Sequence, residues 1–192
     1  MPTSKGRIII LSGPSGSGKT TLYQKLIKDK IFYGRIVKSV SVTTRPRRPG
    51  EKPGKDYIFL LRKDFLNKKK AGHFLESQKV FDSYYGTPRE NVERMLTKGK
   101  HVLLCIDVKG ARVVARQYPE ALKIFVNAPD IETLKKRLQQ RGTENFKDMA
   151  LRLAIARKEL KEAKRYDYVV VNDELSQAYQ TLKKILQSVL LK

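Results

Sequence analysis

The chain is poor in cysteine, in acidic residues and in long apolar runs, and each shortage closes off a class of protein. One cysteine, Cys105, cannot form an internal disulfide, which suits a reducing compartment. No apolar run approaches the ~20 residues of a membrane span. The opening Met-Pro-Thr-Ser-Lys-Gly-Arg leads straight into an apolar strand candidate, so no signal peptide is expected. These shortages together predict a cytoplasmic protein with no membrane partner. Repeats and low-complexity linkers are missing too, and 192 residues suit one domain with its own core. Acidic residues number 19 against 41 Lys and Arg, a formal net charge of +22. That surplus favours anionic ligands and keeps nucleic acid open as an alternative partner. Yet the cations are spread along the chain, and no basic run is interleaved with aromatics, so no specific nucleic-acid binding is expected. The longest run, Lys68-Lys69-Lys70, reads as the solvated end of a short helix.

Glycine is concentrated in one informative place. Gly13-Pro14-Ser15-Gly16-Ser17-Gly18-Lys19-Thr20 follows the apolar run 8–11 directly. The spacing is that of a phosphate-binding loop between a strand and a helix. Glycines let successive backbone N–H groups converge on a phosphate, and the helix N-terminus adds its positive end. Lys19 is placed to reach the terminal phosphates and the Thr20 hydroxyl to hold Mg2+. An ordinary Gly-rich turn is the competing reading. Binding of a nucleoside triphosphate is predicted.

The rest of the chain alternates strands and helices. Strands are predicted at 8–12, 37–42, 101–107, 122–126 and 168–171, with a helix from about 18 to 28. The last three strands are short, β-branched and continuously apolar, as parallel strands covered on both faces should be. Ile131, Leu134 and Leu138 form one helical stripe; Met149, Leu153, Ala156 and Leu160 a second; Ala178, Leu182, Ile185 and Val189 a third. Asp130 and Asp173 are placed as helix N-caps and Gly142 as a helix stop. The alternation predicts an α/β fold with a doubly wound parallel sheet.

Residues 44–97 break that rhythm with Pro46, Pro49, Gly50, Pro53 and Gly54, and read as a small mixed insertion. Short strands are predicted at 57–61, 74–79 and 83–85, with helices at 63–70 and from Pro88 to about 96. Within Thr43-Thr44-Arg45-Pro46-Arg47-Arg48-Pro49-Gly50-Glu51, Arg45 and Arg48 lie three apart in a stiff loop. They can present two planar forks to one phosphate, with Glu51 holding one of them. A merely solvated basic loop is the alternative.

Taken in order, these motifs resemble the guanylate kinase family. The phosphate loop is followed by Ser-Val-Thr-Thr-Arg-Pro-Arg-Arg-Pro-Gly-Glu, Gly-Lys-Asp-Tyr, Phe-Leu-Glu and Tyr-Tyr-Gly-Thr. Then come Ile106-Asp107 with Gly110, Arg-Gly-Thr-Glu at 141–144, and Val-Asn-Asp at 171–173. The resemblance implies a P-loop core (1–43, 98–128, 165–192), a GMP-binding lobe (44–97) and a helical lid (129–164). It implies acceptor-phosphate contacts from Arg45, Arg48, Tyr57 and Tyr85, with Glu51 among the GMP-binding residues. Guanine contacts are implied at Ser41, Glu76, Thr87 and Asp107. Carboxylates accept from the guanine N1–H and N2 amine, and hydroxyls donate to O6. ATP would lie on residues 13–20 with Thr21, Asn172 and Asp173, although Asp173 also reads as a cap. Arg137, Arg141 and Arg152 would clamp the transferring group, with Mg2+ at Thr20. Taken singly, those three arginines read as solvated, and Ser41, Glu76 and Thr87 as surface residues.

Two departures stand out. Cys105 occupies a position where the family usually has an acid, and a thiol is a poor hard-cation ligand. Read as neighbours two apart on one strand, Cys105 and Asp107 should point the same way; a small apolar filler is the plainer role for the thiol. Arg47 and Lys109 replace a common Pro and Gln. ATP-dependent phosphorylation of GMP and dGMP is the expectation. A non-catalytic guanylate-kinase-like module and another nucleotide kinase are the alternatives, and retention of Lys19 and Thr20 speaks against the first.

Overall fold

The computed structural model describes residues 6–140 and 146–190; Arg141 and Gly142 lie outside the described residues. In chain order the elements are β1 (Ile8–Ser12), α1 (Lys19–Leu26), β2 (Ile36–Lys38), β3 (Val42–Thr43), β4 (Ile58–Phe59), α2 (Arg62–Lys70), β5 (Phe74–Val80), β6 (Ser83–Pro88), α3 (Arg89–Thr97), β7 (His101–Cys105), α4 (Val108–Gln117), β8 (Leu122–Asn127), α5 (Ile131–Gln140), α6 (Phe146–Leu160), β9 (Tyr168–Val171) and α7 (Leu175–Leu190). One sheet has the order β2-β7-β1-β8-β9, and a smaller one β4-β3-β6-β5. In the larger sheet β2 runs parallel to β7 and β9 to β8, the α/β pattern the alternation predicts.

The chain forms two compact units. One comprises Met1–Ile9, Gly34–Leu104 and Lys109–Ala121, the other Ile10–Tyr33, Cys105–Val108 and Leu122–Lys192. In the first unit the predicted strand 37–42 is divided between the two sheets. Ser39 still pairs with β7, its N–H donating to the Leu103 carbonyl (3.0 Å), but the Ser41 carbonyl already accepts from Ile58 in the smaller sheet (2.9 Å). Val42 then fills an apolar cluster with Phe65 of α2 and Phe74 of β5. Tertiary burial of Val42 overrides the continuous strand pattern.

His101 opens β7 half-buried, its Nδ1 accepting from the Arg7 backbone N–H (3.1 Å). Burial, and then the charges of Arg7 and Arg35, hold its pKa below the usual 6.5. The unfolded chain therefore takes up this proton first, and His101 costs stability as pH falls through about 6.5 towards the lower folded value. The melting temperature should drop between pH 7.5 and 5. His101→Asn, which keeps an acceptor and cannot titrate, should lessen that drop; an unchanged pH dependence in the variant would count against the assignment.

In the second unit, β7's predicted extension stops early. The strand ends at Cys105, and Ile106 and Asp107 turn the chain into α4, so the alternation argument for Cys105 and Asp107 does not reach them. Both are half-buried. β9 is not covered on both faces: it is an edge strand, with Tyr168, Val169 and Val171 exposed at 37%, 47% and 51%. Leu134 of α5 and Ala156 of α6 form an apolar cluster with Ala128, which follows β8, and Asp130 caps α5 by accepting from the Thr133 N–H (2.6 Å). Of the second predicted stripe only Ala156 is buried, while Met149, Leu153 and Leu160 are half-buried. α7 begins at Leu175, so Glu174 rather than Asp173 stands at its N-cap position. Its buried face is Ala178, Tyr179, Leu182 and Leu186, not a stripe through Ile185 and Val189, which are half-buried. Tyr179 decides this face. Its hydroxyl donates to Asp29, which also accepts from Lys183 (2.8 Å) and from the Ile31 N–H (3.0 Å), and together these bonds hold the Asp29 pKa down to about 2.

Candidate functional site

In the first unit the functional side chains are set out by a hairpin. β5 and β6 pair antiparallel with Glu76 opposite Thr87 and Gln78 opposite Tyr85, and the register slips by one residue between Phe74 and Glu76. That bulge is decisive. Without it Phe74 and Glu76 would share a face; with it Phe74 stacks on Phe65 (4.6 Å between centroids) while Glu76 turns to the opposite, polar face. The bulge carbonyl, Leu75 O, accepts from Gln117 Nε2 (2.8 Å). On the apolar face a Cβ at Gly86 would lie 3.0–3.2 Å from the Phe74 and Phe65 rings, so any side chain there would press the rings apart by a few tenths of an ångström.

Glu76 is 6% exposed and Thr87 fully buried, and the Thr87 hydroxyl donates to Glu76 Oε1 (2.7 Å). A buried carboxylate with a hydroxyl on one oxygen is a ready acceptor for a ligand's N–H groups. Ser41 is half-buried at the entry to β3.

The arginine loop grows from β3. The Thr43 hydroxyl donates to the Tyr84 carbonyl (3.0 Å) and accepts from the Arg45 N–H (3.2 Å), while the Thr44 hydroxyl accepts from the Tyr84 N–H (2.9 Å). The loop root is thus riveted to β6 one residue before Tyr85. Arg45 then donates to Glu51 Oε1 (2.7 Å), and Glu51 Oε2 accepts from the Arg48 backbone N–H (2.9 Å). Burial opposes both charges, but the pairing prevails: the Arg45 pKa is raised and that of Glu51 lowered. Arg45 also lies 5.4 Å from the Tyr57 ring centroid, and Tyr57 meets Tyr85 edge-on at 6.1 Å. The structure therefore brings Arg45, Arg48, Glu51, Tyr57 and Tyr85 into one cluster, on the same small sheet as Glu76 and Thr87. Arg47 is exposed outside it.

In the second unit the loop after β1 has the required backbone. Gly13 and Gly18 adopt φ of 137° and 91°, and a Cβ at either would come within 2.0 Å of Val126 O or Asn172 Nδ2. Lys19 Nζ donates to the carbonyls of Gly13 (2.6 Å) and Pro14 (2.8 Å). Thr20 and Thr21 are exposed on the first turn of α1, and Ser15 is half-buried in the loop. Asn172 is buried, its Nδ2 donating to Ser17 O (2.8 Å). Arg137 of α5 donates to the carbonyls of Asn172 (2.9 Å) and Asp173 (3.1 Å). Arg152 is half-buried on α6. Asp107 sits near Tyr166, whose phenol is pushed up to about 12 by burial and, further, by the Asp107 charge. Sequence reasoning missed Thr43 and Thr44 as anchors and the fastening role of Asn172. Only their position beside named motifs hinted at them.

The guanylate kinase family model matches residues 5–189. The chain belongs to the guanylate kinase family. Among curated members, a guanylate kinase of Synechococcus sp. is 44% identical over 96% of this chain and 84% of its own length. One from Nitrosospira multiformis is 41% identical over 100% and 90%. The crystal structure of guanylate kinase from Anaplasma phagocytophilum superposes with a TM-score of 0.82 at 37% identity, covering 100% of this chain and 90% of the other.

Proposed function

We infer that the chain transfers the γ-phosphoryl group of ATP to the phosphate of GMP or dGMP, giving ADP and GDP or dGDP. The observation that carries the choice of acceptor is the buried Glu76–Thr87 pair. Guanine offers N1–H and the N2 amine to the carboxylate and takes a hydroxyl donor at O6. Adenine lacks the N2 amine and carries a bare acceptor at N1, so it offers the carboxylate neither donor and sets acceptor against acceptor, a large penalty. Ser41 and Asp107 complete the proposed base contacts. Arg45, Arg48, Tyr57 and Tyr85 hold the acceptor phosphate, with Glu51 pre-aiming Arg45. Residues 44–97 form the GMP-binding lobe and 129–164 the lid.

Gly13, Pro14, Ser15, Gly16, Ser17 and Gly18 wrap the donor phosphates, and Lys19 neutralises them. Thr21, Asn172 and Asp173 complete the ATP side. Among the described residues no group of His, Cys, Asp and Glu could hold a metal unaided. The exposed Thr20 hydroxyl is nevertheless a hard oxygen beside the loop and fits an Mg2+ that arrives on the nucleotide. There Mg2+ would neutralise charge on the β- and γ-phosphates. Arg137, Arg141 and Arg152 stabilise the charge on the phosphoryl group in flight. The attacking atom is an oxygen of the GMP phosphate, which is mostly dianionic near neutrality, so no general base is needed. The bond from phosphorus to the β,γ-bridging oxygen breaks as the new P–O bond forms. Lobe and lid closure would exclude water from that step.

A coupled assay with Mg-ATP and GMP, dGMP, AMP or UMP tests this: turnover of another monophosphate but not GMP overturns it. Replacing Glu51 by Gln should raise the GMP KM by about three- to tenfold through the loosened Arg45, leaving the ATP KM unchanged; an equal rise in both would contradict the assignment. No helix among the described residues is long and apolar enough to cross a membrane. The proposed location is the cytoplasm, with small-molecule substrates and no nucleic-acid or membrane partner.

A further inference from the structure

One buried residue ties together the parts of the donor side. Asn172 follows β9 directly and is 5% exposed. Its backbone N–H donates to Asn127 O at the end of β8 (2.7 Å). Its side-chain amide donates to Ser17 O inside the phosphate loop (2.8 Å), and its own carbonyl accepts from Arg137 Nη1 (2.9 Å). A Cβ on Gly18 would strike Asn172 Nδ2 at 2.0 Å, so the amide also fills the space that glycine leaves at the start of α1. Sheet, loop and lid-helix arginine therefore meet at a single residue.

We propose that Asn172 is a positioning residue: its amide fixes the phosphate loop by holding the Ser17 carbonyl, while its backbone carries Arg137 to the same spot. The Ser17 N–H donates to the Pro14 carbonyl (3.2 Å), closing a turn inside the loop, and the Ser17 carbonyl belongs to the peptide that carries the Gly18 N–H. Held at that carbonyl the peptide resists rotation, so the Gly18 N–H keeps its direction for the donor phosphates. Asn172 thereby acts on ATP through Ser17 and Arg137, and it adds nothing to recognition of the acceptor. The inference rests on the assignment of residues 13–20 to ATP.

Asn172→Asp is the discriminating change, because it keeps size and shape but turns the donor into an acceptor facing the Ser17 carbonyl. ATP affinity, measured by equilibrium titration without acceptor, should weaken about tenfold, and kcat should fall by a similar factor, while the GMP KM stays within about twofold. The deficit relative to wild type should shrink as pH is lowered through the carboxylic range, since the protonated acid can donate to Ser17 again. Asn172→Ala should show the same loss with no pH recovery. An Asp variant with wild-type ATP affinity overturns the proposal. So does a variant whose ATP and GMP parameters fall together with its melting temperature, or whose deficit is independent of pH. Wild-type protein that binds ATP yet leaves GMP unphosphorylated would instead refute the proposed function and leave the Asn172 test readable in the titration.

Discussion

Replacing Lys19 with methionine is expected to lower kcat by roughly a thousandfold, with the GMP KM changed less than about twofold. Methionine keeps most of the stem's bulk, so what is lost is the charge, together with the Nζ hydrogen bonds to the Gly13 and Pro14 carbonyls. That charge matters more as the reaction proceeds, because negative charge shifts onto the β,γ-bridging oxygen that Lys19 is placed to meet. An interaction that strengthens in the transition state shows in kcat rather than in binding. The backbone needed to form the loop lies in Gly13 and Gly18, so the variant should fold normally. Single-turnover rates at saturating Mg-ATP give the measurement, and a fall of less than tenfold would remove Lys19 from the proposed role.

Glu76→Gln should have the largest effect on selectivity. The Thr87 hydroxyl can still donate to the new amide oxygen, so the fold should hold and the melting temperature should change little. Towards the ligand, however, an acceptor becomes a donor facing the N1–H and N2 amine of guanine. Two donors in a buried site leave both unpaired, and the expected loss in kcat/KM for GMP is on the order of 100- to 1000-fold. AMP lacks those donors, so its kcat/KM should not fall in parallel, and the GMP-to-AMP ratio should collapse. A ratio within a few-fold of wild type would show that guanine is selected elsewhere.

What could be seen in the chain beforehand was whatever is local. The phosphate loop is contiguous, its glycines are demanded by backbone geometry, and its strand and helix adjoin it; the Asp130 cap is equally local. Arginines spaced three apart with Glu51 three residues on likewise led to an observed ion pair. The failures are all tertiary. Nothing within residues 37–42 says that the chain changes sheets, because the reason is Phe65 and Phe74 waiting further along. An edge strand of three valines reads as a central one unless its neighbours are known. Tyr179 joins the buried face of α7 only because Asp29, about 150 positions earlier, accepts its hydroxyl. Glu76, taken alone, reads as a surface residue, since a carboxylate is buried only for a partner that local sequence cannot display. Asn172 is the extreme case, a single polar letter whose contacts come from three separate stretches of chain.

The bulge beside Leu75 makes the β5–β6 hairpin a ruler as well as a scaffold. Glu76 and Thr87 sit at one mark and Tyr85 two residues along, with Thr43 pinned against the same strand. Substitutions can alter these side chains one by one, but a change of length cannot. Losing one residue between Glu76 and the turn would instead set Glu76 opposite Gly86, on the face that Phe74 fills, exchanging ligand face and core at once. An extra residue in the turn at Phe81 and Asp82 would leave every mark where it is. Lineages of this protein are thus free to vary the tip of that hairpin in length, while its stem can drift only letter by letter.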